Sequence, residues 1–478
     1  MLLKCRLPAN LNLDALNVTL TGVPGLARTT RGVVLLYNYL LSHDTKPQEA
    51  VFADDYTQVG RSVLQSFLDK EEYLETLCQL LDNDYLERLD HDEDGQYYPE
   101  GYYAVADASA NTPGRCKSFR VPAALLEGAD RYQVLEMVLT KTELNKIENV
   151  RKHRVQYAEP YRDVIRENMN NIILVDTPAS RRVLTQLYAA NSVRVHAELY
   201  LDMWNHNLFH DTTVDSFGRR VHGPLTSAPR ELRPFMRFRS DDQAPLVELD
   251  FVASQPSLLA SITPKFIRKY APECAAAIPF FQAIEGHENW ELYKATCLDD
   301  REGHSIYNFL ARAFEQRFKV AMTRDDGKNI YYRACFSRYH ALDRLSIEDA
   351  ETALDWHLAN SEEKARNKAA SNLFTLRSYD VFKAEFPRVH RLFRDLKGIK
   401  WNIEGQGAPH ANNCLLAQRI ESGLMYTTLV KALLEAGITQ VVTIHDALFI
   451  RQQDEAKARK LIQKELDRLK LNLKLKSK

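Results

Sequence analysis

The sequence predicts an α+β protein, and two observations carry this prediction. Short β-rich runs alternate with long helices from about residue 245 onward, whereas the apolar spacing of the earlier part is mainly helical. The chain has 478 residues, 45% of them hydrophobic, which is enough for one large domain or for two to three ordinary ones. The formal net charge of −1 neither favours nor excludes a nucleic-acid partner, because the clustering of positive charge decides that.

The cysteine pattern and the absence of several motifs exclude some classes of protein. The seven cysteines form no C-x-x-C pair, which is typical of a reduced intracellular protein and not of a disulfide scaffold or zinc module. No secretory signal and no apolar run of about 18 residues is visible, so we expect a cytoplasmic protein without a membrane partner. P-loop, H-E-x-x-H and G-x-S-x-G motifs are absent. His196 and Glu198 form the H-x-E of zinc deaminases, but no P-C-x-x-C motif follows.

The first 115 residues predict a small α/β domain that ends in a linker at 111–115. Residues 60–85 have helical apolar spacing. A polar turn at 90–95, whose acidic residues we expect to be solvated, and an aromatic run at 96–105 then indicate a two-stranded ribbon. Helices followed by such a ribbon fit a winged helix, or a small helical cap with a hairpin.

Two regions on either side of the β-rich part, residues 116–214 and 454–470, are expected to be helical. In residues 116–214, apolar side chains such as Leu135 and Val138 recur at helical spacing. Residues 454–470 predict an amphipathic helix, and the basic segment 470–478 is interpreted as a frayed, solvated end.

Asp250 lies near the end of a predicted strand. Residues 246–251 have the β-rich composition of a strand, and Gln255 and Pro256 interrupt it before an apolar helix begins. A carboxylate at this position can face a cleft, although an Asp at the end of a strand is more often a cap.

His445 and Asp446 lie between two β-rich runs, a pattern that predicts the tip of a tight hairpin. A charged pair between Ile444 and Ala447 is unusual, because buried charge needs a partner. By itself the pattern fits an ordinary β-turn equally well.

A third feature is a cationic repeat. Arg324, Lys328 and Tyr332 recur every four residues, so on a helix they form one face of two cations followed by an aromatic ring. Such a face suits a triphosphate against the cations and a base or sugar against the ring, or it is a solvated basic face. Gly327 weakens the helix prediction by about 1 kcal/mol.

Residues 412–436 predict a strong amphipathic helix that Gly437 stops. Gln418, Glu421 and Met425 lie along one face of it, and the helix leads directly into the His-Asp hairpin.

Two carboxylates on different strands beside a cationic helix are the groups that phosphoryl transfer needs. Charge builds on the attacking oxygen, the phosphorus oxygens and the leaving pyrophosphate, and two Mg²⁺ ions about 4 Å apart stabilise both ends of the displacement. Two Asp side chains can bridge both ions, with phosphate and water completing the coordination. A nearby cation neutralises the leaving group, and Lys328 can act as its general acid.

In order and spacing these pieces resemble the palm and fingers of family A DNA polymerases and of their relatives, the single-subunit phage-type RNA polymerases. The strand with Asp250 resembles motif A, the face from Arg324 to Tyr332 resembles motif B, and residues 444–446 resemble motif C. Residues 217–233 are similar to the family's glycine-arginine segment, which contacts the primer–template. The resemblance covers about residues 215–450.

The resemblance implies a polymerase right hand: an antiparallel-sheet palm, helical fingers and a helical thumb-like region, with the small N-terminal domain added. It implies DNA synthesis from dNTPs on a primer–template, with two Mg²⁺, or Mn²⁺ in their place, bound by Asp250 and Asp446. Lys328 joins these two Asp residues as a catalytic group. The nucleotide-binding residues would be Arg324, Lys328, Tyr332 and Gln255, and the nucleic-acid-binding residues would be Arg219, Arg220, Arg233, Gln418 and His445.

The same resemblance divides the chain into five segments. Residues 1–115 would form the N-terminal domain, 116–214 the thumb-like region, 215–270 the palm with motif A, 271–400 the fingers, and 401–478 the palm with motif C and a last helix.

The chain departs from the family's DNA polymerases at several positions. Those enzymes carry Glu five residues after the motif A Asp, where it discriminates against ribose, and this chain has Gln255. They usually carry Glu after His-Asp, where Ala447 stands. Asp325 and Asp326 are unusual inside a triphosphate-binding helix.

Two alternatives therefore stay open beside a DNA polymerase. A primase-like or RNA-synthesising relative would suit Gln255. A non-catalytic DNA-binding replication or mobile-element protein would keep the fold without the chemistry. No proofreading exonuclease site is visible in the sequence.

Overall fold

The structure is a computed structural model that forms two compact units. One comprises Met1–Ala158, Arg166–Thr213 and His222–Leu246, and the other comprises Glu159–Ile165, Val214–Val221 and Val247–Lys478. The structure describes residues 2–477 apart from 24–25, 44–55, 69–70, 92–96, 99–116, 128–131, 146–159, 189–200, 202–203, 206–211, 300, 302, 339–344 and 404–406.

The elements are numbered in chain order. The strands are β1 Leu2–Pro8, β2 Thr57–Gln58, β3 Glu87–Arg88, β4 Ser118–Arg120, β5 Tyr132–Val138, β6 Ile172–Leu174, β7 Thr213–Val214, β8 Val221–His222, β9 Met236–Phe238, β10 Leu246–Phe251, β11 Val441–Ile444, β12 Ala447–Arg451 and β13 Leu475–Ser477. The α-helices are α1 Leu13–Thr19, α2 Leu26–His43, α3 Arg61–Leu68, α4 Tyr73–Asp82, α5 Pro160–Asn170, α6 Pro178–Tyr188, α7 Pro224–Ser227, α8 Ser254–Ala260, α9 Pro264–Tyr270, α10 Ile278–Ile284, α11 Glu288–Cys297, α12 Ile306–Phe318, α13 Arg324–Phe336, α14 Ile347–Asn360, α15 Glu363–Glu385, α16 Pro387–Leu396, α17 Asn412–Leu424, α18 Lys431–Glu435 and α19 Glu455–Leu469.

In the first unit, β1 and β5 pair as an antiparallel ribbon, with Leu2 opposite Val138. The helical prediction for Leu135 and Val138 is therefore wrong. Burial alternates along β5, with Met137 buried between exposed neighbours, so a period of two residues describes this segment. The predicted helices at 60–85 are confirmed as α3 and α4.

Several predictions for the first unit concern residues that lie wholly or largely outside the described part of the chain. These are the aromatic ribbon at 96–105, of which only 97–98 are described, the linker at 111–115 and the H-x-E pair at 196–198. The winged-helix interpretation and the division into five segments stay predictions.

The second unit contains a four-stranded sheet in the order β11-β12-β10-β13. The predicted strand at 246–251 is confirmed as β10, and β11 and β12 form the predicted antiparallel hairpin, with Ile444 opposite Ala447. The predicted helix at 454–470 is confirmed as α19.

The frayed end predicted for residues 470–478 is wrong, because β13 pairs with β10 as an antiparallel edge strand. The physical reason is alternation. Leu471 and Leu473 are buried and fix the segment to the core, while Asn472 and Lys474, which alternate with them, are exposed.

The helix predicted at 412–436 is present as α17, a π-helical turn at Met425–Val430, and α18. It is not amphipathic, because polar residues of α17 such as Arg419, Glu421 and Ser422 are buried as well. The buried polar groups bind loops that surround the helix, and these contacts build the candidate site described below.

The predicted helix with Arg324 and Lys328 is confirmed as α13. Asp326 forms a capping box with Thr323 and lies in the first turn, where negative charge is favourable. Gly327 is buried against α12, and a Cβ there would collide with the backbone oxygen of Tyr307. The glycine therefore permits close packing of two helices, which outweighs its low helix propensity.

Within the described residues, none of the helices has the length and apolarity that a membrane span requires.

We expect Gly327→Ala to destabilise the fold by about 1–3 kcal/mol, although alanine is the better helix former. The added methyl group would force α12 and α13 apart, as chemical denaturation should show. Asn329→Ala, an exposed change two residues further along α13, is the control and should shift stability by less than about 0.5 kcal/mol. A Gly327→Ala variant as stable as the wild type would contradict the close packing.

Candidate active site

Asp250 and Asp446 belong to the same sheet. Asp250 is the penultimate residue of β10, and Asp446 directly precedes β12, the strand next to β10. Both residues are half-buried. Among the described residues there is no cluster of three or more His, Cys, Asp or Glu side chains that could hold a metal ion.

Glu421 connects several elements of the site. Its carboxylate is buried and accepts hydrogen bonds from Arg220 Nε at 2.9 Å and Nη2 at 2.5 Å, and from Gln255 Nε2 at 2.6 Å. Arg220 belongs to the loop before β8, Gln255 to the first turn of α8, and Glu421 to α17. One carboxylate therefore fixes the loop and the helix that follows β10.

Burial and, to a smaller extent, the negative charge of Asp446 raise the pKa of Glu421 to about 7, against the attraction of Arg220 and its hydrogen bond. The two carboxyl groups therefore lie within electrostatic range and repel each other when both are ionised.

Residues 215–221, called the glycine-arginine loop, are bound by side chains of the buried helix. Arg419 donates from Nε to the carbonyl of Phe217 at 2.8 Å and from Nη2 to that of Ser216 at 2.9 Å. Its Nη1 forms an ion pair with Glu273 at 2.5 Å, so the buried guanidinium is neutralised.

Three further contacts complete the clamp on the loop. Ser422 Oγ donates to the carbonyl of Gly218 at 2.7 Å, and the backbone N–H of Val221 donates to the Tyr426 hydroxyl at 3.0 Å. A Cβ at Gly218 would lie 3.1 Å from Cβ of Gln418 and would force the Gln418 amide to move. Gln418 is thereby packed against the loop.

Three non-glycine residues of the site have a left-handed backbone. They are Arg219 with φ of +57°, Ala253 with +48° and His445 with +53°. Each costs about 1–2 kcal/mol, which surrounding contacts must offset. At Arg219 those contacts include a hydrogen bond from Arg162 Nε to its carbonyl at 3.2 Å and an ion pair with Glu273 at 3.2 Å.

The cationic helix α13 approaches Asp446 through Tyr332. Burial raises the pKa of Tyr332, a hydrogen bond with Tyr307 lowers it, and the charge of Asp446 raises it again. Arg324 lies over the Tyr307 ring at 5.3 Å, and Lys328 Nζ lies 5.8 Å from the centre of the Tyr332 ring.

The two cations differ from the ring in exposure. Arg324 and Lys328 are exposed, whereas Tyr332 is half-buried. The face predicted from the four-residue spacing is therefore present, with its cations in solvent and its aromatic end beside the carboxylates.

The far end of α13 is fixed by buried side chains. Lys397 Nζ donates to the carbonyl of Ser337 at 2.9 Å, and Asn413 Nδ2 donates to that of Cys335 at 2.9 Å. Burial lowers the pKa of Lys397 to about 8. These donors satisfy carbonyls that a helix end would otherwise leave unpaired.

The predicted site residues separate into three groups. Glu421 joins Arg220, Gln255 and, through charge, Asp446 and Tyr332. Arg219 and Gln418 pack at the glycine-arginine loop, so Arg219 and Arg220 both have carboxylate partners within the protein. Arg233 belongs to the other unit, in a 3₁₀ helix at Arg230–Phe235.

The sequence patterns predict no role for Glu421 beyond its place on a helix face, and none for Arg419 or Glu273. Arg419 and Glu421 are the two charged residues of α17, and both lie among apolar positions such as Leu415, Leu416 and Ile420. That composition is the signal that would have indicated buried ion pairs, because charge in a buried helix requires a partner.

No protein family model matches the chain, and no curated protein matches it. Among solved structures, the chain is similar to the POL domain of Pol1 from M. smegmatis in complex with DNA primer-template and dNTP. The match covers 97% of this chain and 72% of that chain, at 11% sequence identity. Its TM-score is 0.31, which is too low to carry an argument about fold or function.

Stability should depend on pH through Glu421. A carboxyl whose pKa is raised on folding stabilises the fold fully below its unfolded value, about 4.5, and this contribution is lost as pH rises through about 7. We therefore compare the free energies of unfolding of the wild type and of Glu421→Gln. The difference, wild type minus variant, should fall by more than about 1 kcal/mol between pH 5 and pH 8.

Urea unfolding of both proteins across this range measures the difference. Glu348→Gln, an exposed change on α14, is the control and should reproduce the wild-type profile. A difference between wild type and Glu421→Gln that stays constant with pH would contradict the raised pKa.

Proposed function

We propose that the protein is a template-directed nucleic-acid polymerase that transfers nucleotides from dNTPs to a 3′-hydroxyl. The main support is the position of Asp446, which directly precedes a strand and lies within electrostatic range of Tyr332 on the cationic helix α13. Asp250 lies on the strand beside the one that Asp446 precedes. Carboxylates and triphosphate-binding cations within one unit are the groups that the reaction needs.

The donor set fits divalent cations. Asp250 and Asp446 offer hard oxygen ligands, and Mg²⁺ typically uses one or two carboxylates together with substrate phosphates and water. Both residues are half-buried, so their oxygens are neither sealed in the core nor fully solvated. Bound Mg²⁺, or Mn²⁺, would polarise the phosphoryl oxygens and favour ionisation of the attacking hydroxyl.

The chain's own residues would bind and orient the substrates. Arg324 and Lys328, both exposed, would contact the triphosphate, and Lys328 would donate a proton toward the leaving pyrophosphate. The half-buried Tyr332 ring would support the incoming base or sugar. Tyr307 forms a hydrogen bond with Tyr332, and the charge of Asp446 reaches the Tyr332 hydroxyl.

The residues around the glycine-arginine loop would position the nucleic acid and take no part in the chemical step. Arg220 is held by Glu421, so we propose that it shapes the floor of the site and contacts nucleic acid through the loop backbone. Gln418 and His445 remain candidates for contacts with the primer end. Arg233 is proposed as a nucleic-acid contact on the sequence resemblance alone.

A second function, RNA synthesis, is favoured by one observation. Gln255 is tied to Glu421 at 2.6 Å, and a Glu in its place would face that carboxylate at hydrogen-bond distance. The chain therefore has a structural reason to keep an amide where the family's DNA polymerases carry an acid. The third alternative, a DNA-binding protein without catalysis, keeps the same fold.

Either Asp250→Asn or Asp446→Asn should lower primer extension in Mg²⁺ on the order of 10³-fold or more, because each removes an anionic metal ligand. Binding of primer–template DNA, measured by fluorescence anisotropy, should survive. Asp355→Asn, at an exposed position of α14, is the control and should extend primers normally. Full extension by both site variants would refute catalysis at these carboxylates and leave the non-catalytic alternative.

Sugar preference should depend on Gln255. We expect the wild type to prefer dNTPs over rNTPs, and Gln255→Ala to reduce this preference about tenfold, because the amide held by Glu421 forms a wall near the sugar. Single-nucleotide incorporation with each sugar on one primed template measures the ratio. A wild type that incorporates rNTPs faster would indicate the RNA-synthesising alternative.

A further inference from the structure

The basic segment after α19 has two distinct faces. Leu471 and Leu473 are buried, whereas Asn472, Lys474 and Lys476 are exposed. Successive residues of an extended chain point to opposite sides, so the three exposed side chains share one face. The cations of this segment are thus arranged in a row by the backbone.

This row ends beside Asp250. In the antiparallel pairing of β10 and β13, Lys476 is directly opposite Asp250. Side chains of directly opposite residues lie on the same side of a sheet, with Cβ atoms about 4.5–5.5 Å apart. Lys476 therefore brings a positive charge next to the carboxylate of motif A.

A groove of about 580 Å³ is lined by α19 and by this segment. Three cations and two amides supply its polar lining, and among the described residues none of the lining side chains is acidic. These are the donor types that bind phosphate oxygens of nucleic acids. They are Arg459, Lys460, Gln463, Asn472 and Lys474.

One of these cations has an acidic neighbour on its own helix. Glu455 pairs with Arg459 at 2.9 Å. A half-exposed pair of this kind, four residues apart on a helix, is worth only about 0.3–0.5 kcal/mol, so it holds the guanidinium weakly. Lys460 and Lys474 add positive charge to the groove lining, and Lys476, opposite Asp250 in the sheet, continues it.

We propose that this basic strip, consisting of Arg459, Lys460, Gln463, Asn472, Lys474 and Lys476, binds the phosphodiester backbone of a nucleic acid and leads it to Asp250. The role of Asp250 rests on the proposed function, whereas backbone binding is a property that can be measured without synthesis. Neutralised phosphates release counterions, so the interaction is independent of sequence and sensitive to salt. Lys476, next to Asp250, contacts the phosphate nearest the reacting end.

The test removes two charges and measures salt dependence. Lys474→Ala/Lys476→Ala and a matched control, Lys364→Ala/Lys368→Ala on the exposed side of α15, lose the same net charge. Binding of a labelled primer–template is followed by anisotropy between about 50 and 200 mM salt. The slope of log K against log salt should become less steep by about 2 in the first double variant and stay unchanged in the control.

Two further variants keep the result interpretable. Lys474→Arg/Lys476→Arg should retain the wild-type slope, because the charge is kept. Lys476→Ala alone should reduce the slope by about 1, which provides the test if the double variant does not fold as judged by circular dichroism. An unchanged slope in the folded alanine variants, or an equal reduction in the control, overturns the proposal.

The basic strip could also bind the phosphates of a free nucleoside triphosphate. A separate binding measurement with a dNTP distinguishes this ligand from the nucleic-acid backbone. Binding of a fluorescent dNTP should be unchanged in Lys474→Ala/Lys476→Ala, and its loss with a normal DNA slope overturns the assignment to the backbone. Asp250→Asn should bind the primer–template with the wild-type slope. Failure of synthesis and failure of the basic strip are therefore seen in different measurements.

Discussion

The candidate site depends on one buried ionic contact, that of Glu421 with Arg220 and Gln255. Taking a carboxylate and a guanidinium out of water is costly, and removal of one partner of such a pair typically costs about 3–5 kcal/mol. The contact is therefore a constraint as much as a source of stability. While it persists, the glycine-arginine loop, the start of α8 and the buried helix α17 keep one arrangement.

Several features of the site follow from this constraint. Gln255 comes five residues after Asp250, so fixing its amide also fixes the turn that ends β10, where Ala253 has a left-handed backbone. Asp446 of the hairpin lies within electrostatic range of Glu421. The left-handed backbones at Ala253 and His445 lie in the chain segments next to Asp250 and Asp446.

The local elements of the site could be predicted from sequence, whereas the contacts that unite them could not. The strand at β10, the hairpin at His445 and the helix at α13 follow from periodicity and turn chemistry, which are local properties. The role of Glu421 depends on Arg220, 201 positions away in the chain. Spacing along a helix cannot reveal such a partner.

Two errors have similar causes. The segment from 470 to 478 was expected to fray because its charges suggested a solvated end, but alternating leucines pair it with β10. The apolar spacing at 412–436 predicts an amphipathic helix, whereas polar residues of α17 are buried and bind the surrounding loops. In both segments the long-range partner decided the structure, as is usual where tertiary packing outweighs local pattern.

The most direct test of the central claim is to ask whether Asp250 and Asp446 share bound metal. Fe²⁺ substituted for Mg²⁺ generates hydroxyl radicals that cut the backbone beside the ion, and mass spectrometry locates the cuts. The account predicts cleavage near both residue 250 and residue 446, with both cuts lost in Asp250→Asn and in Asp446→Asn. Cleavage near only one of them, or cuts that survive either substitution, would contradict a common metal site.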